Sequence, residues 1–583
     1  MKIMKRVIVA LLVAAMAVSM FAACGKGGSG SGVVTLNVFS QRANIEGMQG
    51  GWMGAIMKDR FGVELNIIKE SGNTLTTRME AGDLGDIVVW GTDGEDYKAA
   101  VDAGLLLDWE EQDLLKQHGS YMYEHMQSAL EKNRRVSGDG KIHGIGNGIA
   151  AEDESGKEQH QEFMYAWELR YDYYVELGCP EVKDLDDLFD VFVKMKENHP
   201  TDDEGKETYA VSIWPDWDGN MVMYPKSLAS AYYGIDEFAL GFYDFTTNEF
   251  IDPLRINDDG SYGPYLEMVQ YFNRLYRAGL LDPDSDIQKN DQASAKVKSG
   301  RTFWSIFNYA GSAQFNSLEN LESGKGMYTV VPEEATPVVY GLSPLGGNSL
   351  WTIGSKTKNP ELCMQIINWF ATPTGNLEQQ YGPQGLCWYY DENGKTCFTD
   401  LGRTASADQN TELVSDNPDY QIYCGDSFKN GMQQINNIVW SLDAINPESG
   451  ETFNKKGWAS EKTPLADGNI ELIWRENNNA NSMDEYLDAR GKFVISQKYS
   501  YAEGKKDADL KVVWEQVTKS ITTWSWKAIE ANTEEEFENA INEMLKEAKS
   551  YNNGEGYNQC VEWSENEAKI LTDIIKEAKS AQK

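Results

Sequence analysis

The sequence predicts an α/β protein. Strand-like and helix-like patterns alternate through the first hundred residues, and at least one strand is apolar throughout, as in a buried sheet. In addition, 17 tryptophans, 29 tyrosines and 20 phenylalanines supply material for a large core. Residues 33–40 are β-branched and alternating and read as a first strand. Residues 47–61 predict a helix, 62–68 a second strand and 75–81 a short helix. A turn follows at 82–86, then a continuously apolar strand at 87–90 and a helix at 97–103 that closes on Gly104. Strands separated by helices imply βαβ units and a parallel sheet.

The same kind of pattern returns after residue 150. Strands are predicted at 163–169, 209–214 and 301–307. Helices are predicted at 172–177, 184–198 and 265–278, the second carrying Leu185, Leu188, Phe189, Phe192 and Met195 on one face. Residues 252–262 and the Asn393-Gly394 turn read as hairpins. The C-terminal third is helix-rich: Thr533 with Glu536 matches a capping box, and Phe537, Ile541, Met544, Leu545 and Ala548 form one stripe behind it. Residues 450–467 are the expected irregular excursion. No internal repeat is visible, which excludes a solenoid or propeller.

The N-terminus carries an address. Lys2, Lys5 and Arg6 precede an apolar run over 7–23 that only Ser19 interrupts, and Phe21-Ala22-Ala23-Cys24 leads into a Gly/Ser stretch ending at Gly32. A cationic start, an apolar core and small residues before a cut describe a secretory signal. A cysteine at the cut resembles a bacterial lipoprotein signal, in which Cys24 becomes the lipidated first residue. The run also sits at the lower edge of a membrane span, roughly 17–25 residues, but a span gives no role to Cys24. The expectation is a signal peptide over 1–23 and a lipid-anchored tether over 24–32.

Composition excludes several function classes. With 91 acidic against 53 basic residues the net charge is −38, a field that repels phosphate backbones, so no nucleic acid is expected as a partner. The one basic cluster, Lys132-Asn133-Arg134-Arg135, reads as a solvated helix end. The six cysteines after Cys24 form no CxxC pair, so no zinc site is expected, and free thiols are the default. A two-residue Asn-Gly turn would set 387 opposite 400 and 390 opposite 397, which puts Cys387 and Cys397 out of register for a disulfide. Asp282, Asp284 and Asp286 alternate like the start of a calcium loop. Ile287 and Ala293 stand where such a loop needs glycine and glutamate, so no metal is expected. Five histidines outside any HExxH, and the absence of a GxSxG elbow or Walker loop, leave little for catalysis and no cofactor.

A series of fragments then resembles the extracellular solute-binding proteins of ABC importers, the group containing maltose-binding protein. The likeness is strongest to the large Gram-positive lipoproteins. The fragments are Phe61-Gly62-Val63-Glu64, the turn at 82–88, Ala103-Gly104-Leu105-Leu106-Leu107-Asp108, Asp139-Gly140-Lys141 and Ala278-Gly279-Leu280-Leu281-Asp282-Pro283-Asp284. Lys298-Ser299-Gly300, residues 327–332, Gly346-Gly347, Asn359-Pro360-Glu361, Gly382-Pro383-Gln384-Gly385 and residues 388–395 follow in order. The resemblance implies a two-lobed periplasmic-binding-protein-like fold (type II), with a ligand cleft between lobes joined by crossing strands. One crossing would follow 139–150 and another would lie near 328–332. Lobe one would hold 33–149 plus 332–377, and lobe two 150–331 plus 378–583. It also implies a monomer that hands a small polar solute, foremost an oligosaccharide, to the permease subunits of an ABC transporter at the extracellular face of the cell membrane.

Ligands of open α/β sheets sit beyond the carboxyl ends of strands, so candidate residues are sought there. Gln41 follows the first strand, and Trp90 ends the third as either cleft floor or lobe packing. The loop from Trp214 to Asn220 sets Trp217 and Asp218 beside Trp214, and stacking faces next to in-plane acceptors are what a sugar ring requires. The alternative is a loop that Trp217 staples to the surface. Asn308 and Tyr309 follow the 301–307 strand, where the resemblance implies a stacking aromatic. Asn348 and Trp351 follow the second crossing, and Trp388 follows the Gly-Pro-Gln-Gly turn; Trp351 could equally be core. The competing functions are a cell-surface glycoside hydrolase using two carboxylates and a non-transport adhesin lipoprotein. Peptides and polyols are alternative solutes.

Overall fold

The computed structural model describes residues 32–43, 45–151, 159–461, 468–499, 501 and 503–581. The signal peptide, Cys24 and nearly all of the tether lie outside them. The first lobe is built on a six-stranded sheet in the order Gly47–Met48, Val63–Lys69, Val34–Ser40, Ile87–Trp90, Leu350–Ile353, Gly144–Gly146. Val34–Ser40 pairs in parallel with Val63–Lys69 on one side and Ile87–Trp90 on the other. Parallel neighbours need a crossover, and the helices Gly51–Phe61 and Thr74–Ala81 supply the two. Gly62 closes the first of these at φ 66°, a left-handed cap that a side chain would strain. The helix starts at 51 rather than 47 because Gly47–Met48 joins the sheet edge, opposite Ile67 and Asn66.

The second lobe carries a three-stranded antiparallel sheet, Trp304–Phe307, Tyr165–Arg170 and Met327–Thr329. The strand expected at 209–214 is reduced to two isolated bridges, Tyr209 with Thr302 and Val211 with Leu281. Its amides are shared between two neighbours, Tyr209 donating to Arg301 O and Ala210 to Leu280 O, so neither ladder runs on. Around this sheet pack the helices Leu185–Asn198, Met223–Tyr233, Pro264–Arg277, Ala508–Ile529 and Glu534–Ala548. Asp184 caps the first of them, accepting from the amides of Asp186 and Asp187.

The two large cores define where the chain changes lobe. It leaves the first core after Ala150 and enters the second at Phe163. It returns between Val339 and Leu342, and crosses a third time between Trp458 and Ile470. Two features depart from the expected boundaries. The second passage is later than 328–332, because Met327–Thr329 is claimed by the second-lobe sheet. The segment expected in lobe two from 378 onward instead gives Leu386, Trp388, Phe398, Phe428, Trp440, Phe453 and Trp458 to the first core, and only from Ile470 does the chain join the second. At the passages Val338–Leu342 lies between Val494–Ser496 (parallel) and Gln159–His160 (antiparallel), and Ile149 bridges both Ser343 and Trp440.

The hairpin Trp388–Tyr390 with Thr396–Phe398 sets Tyr389 opposite Cys397. Its turn is longer than an Asn-Gly pair, with Asp391 N donating to Lys395 O and Gly394 N to Asp391 O, and this shifts the register from that expected. Cys387 falls outside the ladder, and all six described cysteines are free.

Candidate functional site

Strand directions place the cleft. In the first lobe Trp90 lies opposite Leu350, the first strand residue after the second passage, so the carboxyl end of Ile87–Trp90 faces the crossings. In the second lobe Phe307 lies opposite Tyr165, the first strand residue after the first passage, so the carboxyl end of Trp304–Phe307 faces them too. Loops 40–42, 90–94 and 343–349 of the first lobe, and 308–312 of the second with 214–220 beside it, therefore lie at the ends of the lobes nearest the crossings, where ligands of open α/β sheets are sought.

The second-lobe wall is aromatic. Tyr309 stacks on Phe307 with ring centroids 4.8 Å apart and planes at 25°. Trp217 lies 6.1 Å from Tyr309 and stands edge-on to Trp214 at 5.4 Å. Trp217 is 49% exposed, whereas Trp214 at 1% is core. The chain achieves this by anchoring both residues that flank Trp217. Asp216 Oδ2 accepts from Asn290 N at 3.1 Å, and Asp218 accepts from Met223 N and Trp526 Nε1, each at 2.8 Å. With both carboxylate oxygens engaged and its pKa pushed up to about 6 by burial, Asp218 holds the loop rather than offering a rim acceptor. Asn308 is likewise committed in part, its Nδ2 donating to Phe163 O at 3.2 Å.

Behind Tyr309 lies a group that the sequence did not reveal. Glu168, on the central strand, is buried and accepts from the backbone N and the hydroxyl of Ser312. Gly311 makes this possible, since a Cβ there would come within 2.3 Å of Glu168 Oε2. Burial pushes Glu168 up to about 8, and the Ser312 donors pull the other way. Glu168 thus fixes the loop that carries Tyr309.

The first-lobe wall is polar. Gln41 Oε1 accepts from Gly91 N at 2.7 Å, tying the ends of two neighbouring strands together. Asn348 bridges the lobes: its Oδ1 accepts from Lys132 Nζ at 2.8 Å, and its Nδ2 donates to Tyr501 O at 3.2 Å. Lys132 is therefore not part of a solvated helix end as its cluster suggested. It is 2% exposed, donates also to Gly346 O and Gly347 O, and lies 3.7 Å from the buried Asp93 carboxylate. Burial raises the pKa of Asp93 and lowers that of Lys132, and their mutual attraction opposes both shifts. Arg134, by contrast, behaves as expected of an outward residue and pairs with Glu110.

Three further tryptophans proposed as ligand contacts are packing residues. Trp90 is 0% exposed, with Nε1 donating to Thr352 Oγ1 at 3.0 Å and its ring edge-on to Tyr97. Trp351 is enclosed in the first core against Phe370, and Trp388 donates internally to Gly382 O at 2.8 Å. Each has no face left for a solute. At the candidate calcium loop Lys296 Nζ occupies the space between Asp282 Oδ2 at 2.5 Å and Asp284 Oδ2 at 2.8 Å. A groove of about 750 Å³ lies between Ala508–Ile529 and Gly556–Ala581, away from these walls in sequence. Its one indole, Trp563, is already covered by Lys506 Nζ at 3.9 Å.

The defining sequence pattern of the bacterial extracellular solute-binding proteins matches residues 52–387. The chain belongs to that family. Solved structures share its two-lobed fold over nearly the whole chain. An HMO-binding, ABC-transporter-associated solute-binding protein from Bifidobacterium longum infantis gives a TM-score of 0.54 at 12% identity, covering 93% of this chain and 100% of its own. The Streptococcus pneumoniae ABC-transporter substrate-binding protein FusA, in complex with kestose, gives 0.53 at 13% identity with coverages of 93% and 100%. The N-glycan transport solute-binding protein NgtS of the same species gives 0.50 at 16%, covering 93% and 99%. No curated protein matches the sequence. Among the described residues no helix of this solute-binding protein is long and apolar enough to cross a membrane.

Proposed function

We propose that the protein is a lipid-anchored receptor that captures an oligosaccharide in the cleft and delivers it to an ABC importer. The observation that carries this reading is the half-exposed Trp217 beside Tyr309 at the crossing end of the second lobe. An indole and a phenol side by side offer apolar faces to a pyranose or furanose ring, and Gln41 on the opposing wall offers an amide to its hydroxyl rim. Structural relatives solved with kestose or described as binding N-glycan or HMO support a sugar over a peptide. Ligand touching both walls stabilises the closed arrangement, and the transporter reads that state. The ligand leaves unchanged.

The test is a saccharide panel monitored by thermal shift and by chromatography of the recovered sugars. One sugar should raise the melting temperature and return intact; at 100 times its Kd a ligand adds about 2.7 kcal/mol to folding stability. Cleaved sugar would overturn the reading in favour of a hydrolase. For the anchor, mass spectrometry of the mature protein should find a diacylated Cys24 at the N-terminus, and Cys24→Ala should release the protein into the medium.

A further inference from the structure

The carboxyl end of the first strand is covered by residues 432–437, Met-Gln-Gln-Ile-Asn-Asn, from a part of the chain almost 400 residues away. Gln49 pins one end of this loop, accepting from Gln434 N at 2.9 Å and donating to Met432 O at 3.0 Å. Ser40, the last residue of the strand, donates its hydroxyl to Ile435 O at 3.0 Å. Arg42 and Asn436 exchange two bonds, Arg42 Nε to Asn436 O at 3.1 Å and Asn436 Nδ2 to Arg42 O at 3.0 Å. Asn436 sits at φ 59°, a left-handed conformation that a non-glycine residue holds at a cost. Two residues further on the chain reaches Val439 and Trp440, and Trp440 bridges Ile149 at the first passage. The loop thus stands between the strand end at Ser40 and the hinge, at the crossing end of the first lobe.

Several polar atoms of the loop are left unused, among them both amide atoms of the buried Asn437. Asn436 Oδ1, Gln434 Oε1 and the terminal nitrogens of Arg42 make no hydrogen bond among the described residues, and Asn436 and Arg42 are exposed. Two carbonyl acceptors beside a guanidinium donor match hydroxyl groups, each of which both gives and takes a hydrogen bond. A carboxylated ring would gain from Arg42 and meet two carbonyl oxygens of like sign.

We propose that residues 432–437 together with Arg42 form the first-lobe wall of the ligand site and read the hydroxyl rim of a neutral saccharide. Asn436 and Gln434 accept from its hydroxyls, and Arg42 donates to a hydroxyl oxygen. The inference rests on the oligosaccharide reading above.

The experiment uses the mature chain and titrates kestose, Man5GlcNAc, maltotetraose and a tri-galacturonate by calorimetry. Asn436→Gly is the informative variant, because glycine takes φ 59° without strain and lacks the amide. The free variant is expected to keep the wild-type melting temperature and to lose about tenfold in affinity for the neutral sugar that wild type binds. Arg42→Ala and Gln434→Ala should weaken the same sugar, and they decide the matter if Asn436→Gly melts early. Asn553→Gly, at φ 57° in the C-terminal helices, is the control and should bind like wild type. If these three variants retain wild-type affinity while Trp217→Ala loses it, the inference fails and the sugar reading stands. Preference for the galacturonate overturns the inference alone. No binding by wild type overturns both.

Discussion

At the scale of single residues, exposure separates two tryptophans that sequence alone could not tell apart. Trp214 and Trp217 share one loop, yet the first ends an extended segment directed into the core and the second sits between two anchored aspartates. Trp217→Ala should therefore weaken sugar binding about tenfold by titration while changing stability by less than about 1 kcal/mol. Trp90→Ala should do the opposite, costing about 3–5 kcal/mol in denaturant unfolding, since it empties a closed site. Proton binding gives a second expectation at this scale. Glu168 in the fold is pushed up to about 8 from an ordinary 4.5, so between those values the folded protein keeps a proton that the unfolded chain has released. Stability from this group is full at low pH and falls as pH rises through that window. Asp218 and Asp484, each pushed up to about 6, act in the same direction over a lower range. Melting temperature should thus decline from about pH 6 to about pH 8, and Glu168→Gln should flatten that decline. The loop's composition was legible in the sequence. The buried carboxylate behind Tyr309 was not, because nothing local marks a glutamate within an apolar strand as enclosed.

At the scale of elements, local signals were reliable where a short stretch satisfies its own backbone. The capping box at Thr533 is realised in part: Thr533 Oγ1 accepts from Glu536 N at 3.1 Å, and Glu536 reaches back to Asn532 N rather than to Thr533. Helix Glu534–Ala548 follows with Phe537, Ile541, Met544 and Ala548 buried. Thr533→Ala should cost about 1 kcal/mol in urea unfolding, without effect on ligand affinity. Asn359, which precedes Pro360, makes no side-chain capping bond, and helix Pro360–Ala371 relies on Pro360 at its first turn instead. The hairpin at 388–398 was recognised, but its register was not, because an Asn-Gly pair fixes register only when it is the whole turn. Loop 432–437 has no periodicity and no turn signature, and its bonds run to residues 40, 42 and 49. Such a loop becomes visible only in three dimensions.

At the scale of the molecule, the parallel βαβ start was legible because each strand and its crossover are near neighbours in sequence, whereas the two-lobed plan came through the family resemblance. The return of 386–458 to the first core was not, since no local pattern states which of two hydrophobic cores a segment joins. Small-angle scattering should show the radius of gyration falling when the cognate sugar is added, as the lobes approach. Links that bridge the lobes, such as Lys505 with Glu95 at 2.8 Å, are exposed at both ends and screened by solvent, so they do little to oppose that motion.

The number of passages between the cores has a mechanical consequence. Because the chain changes lobe three times, an odd count, its first strand and its last helices belong to different bodies. With the proposed lipid at Cys24, the Gly/Ser stretch leashes the first body to the membrane, and closure swings the second, which carries Trp217, Tyr309 and the C-terminal helices, relative to the leashed one. A donor–acceptor pair of fluorophores placed near residues 34 and 581 would then report each capture event as a change in the distance between the two bodies.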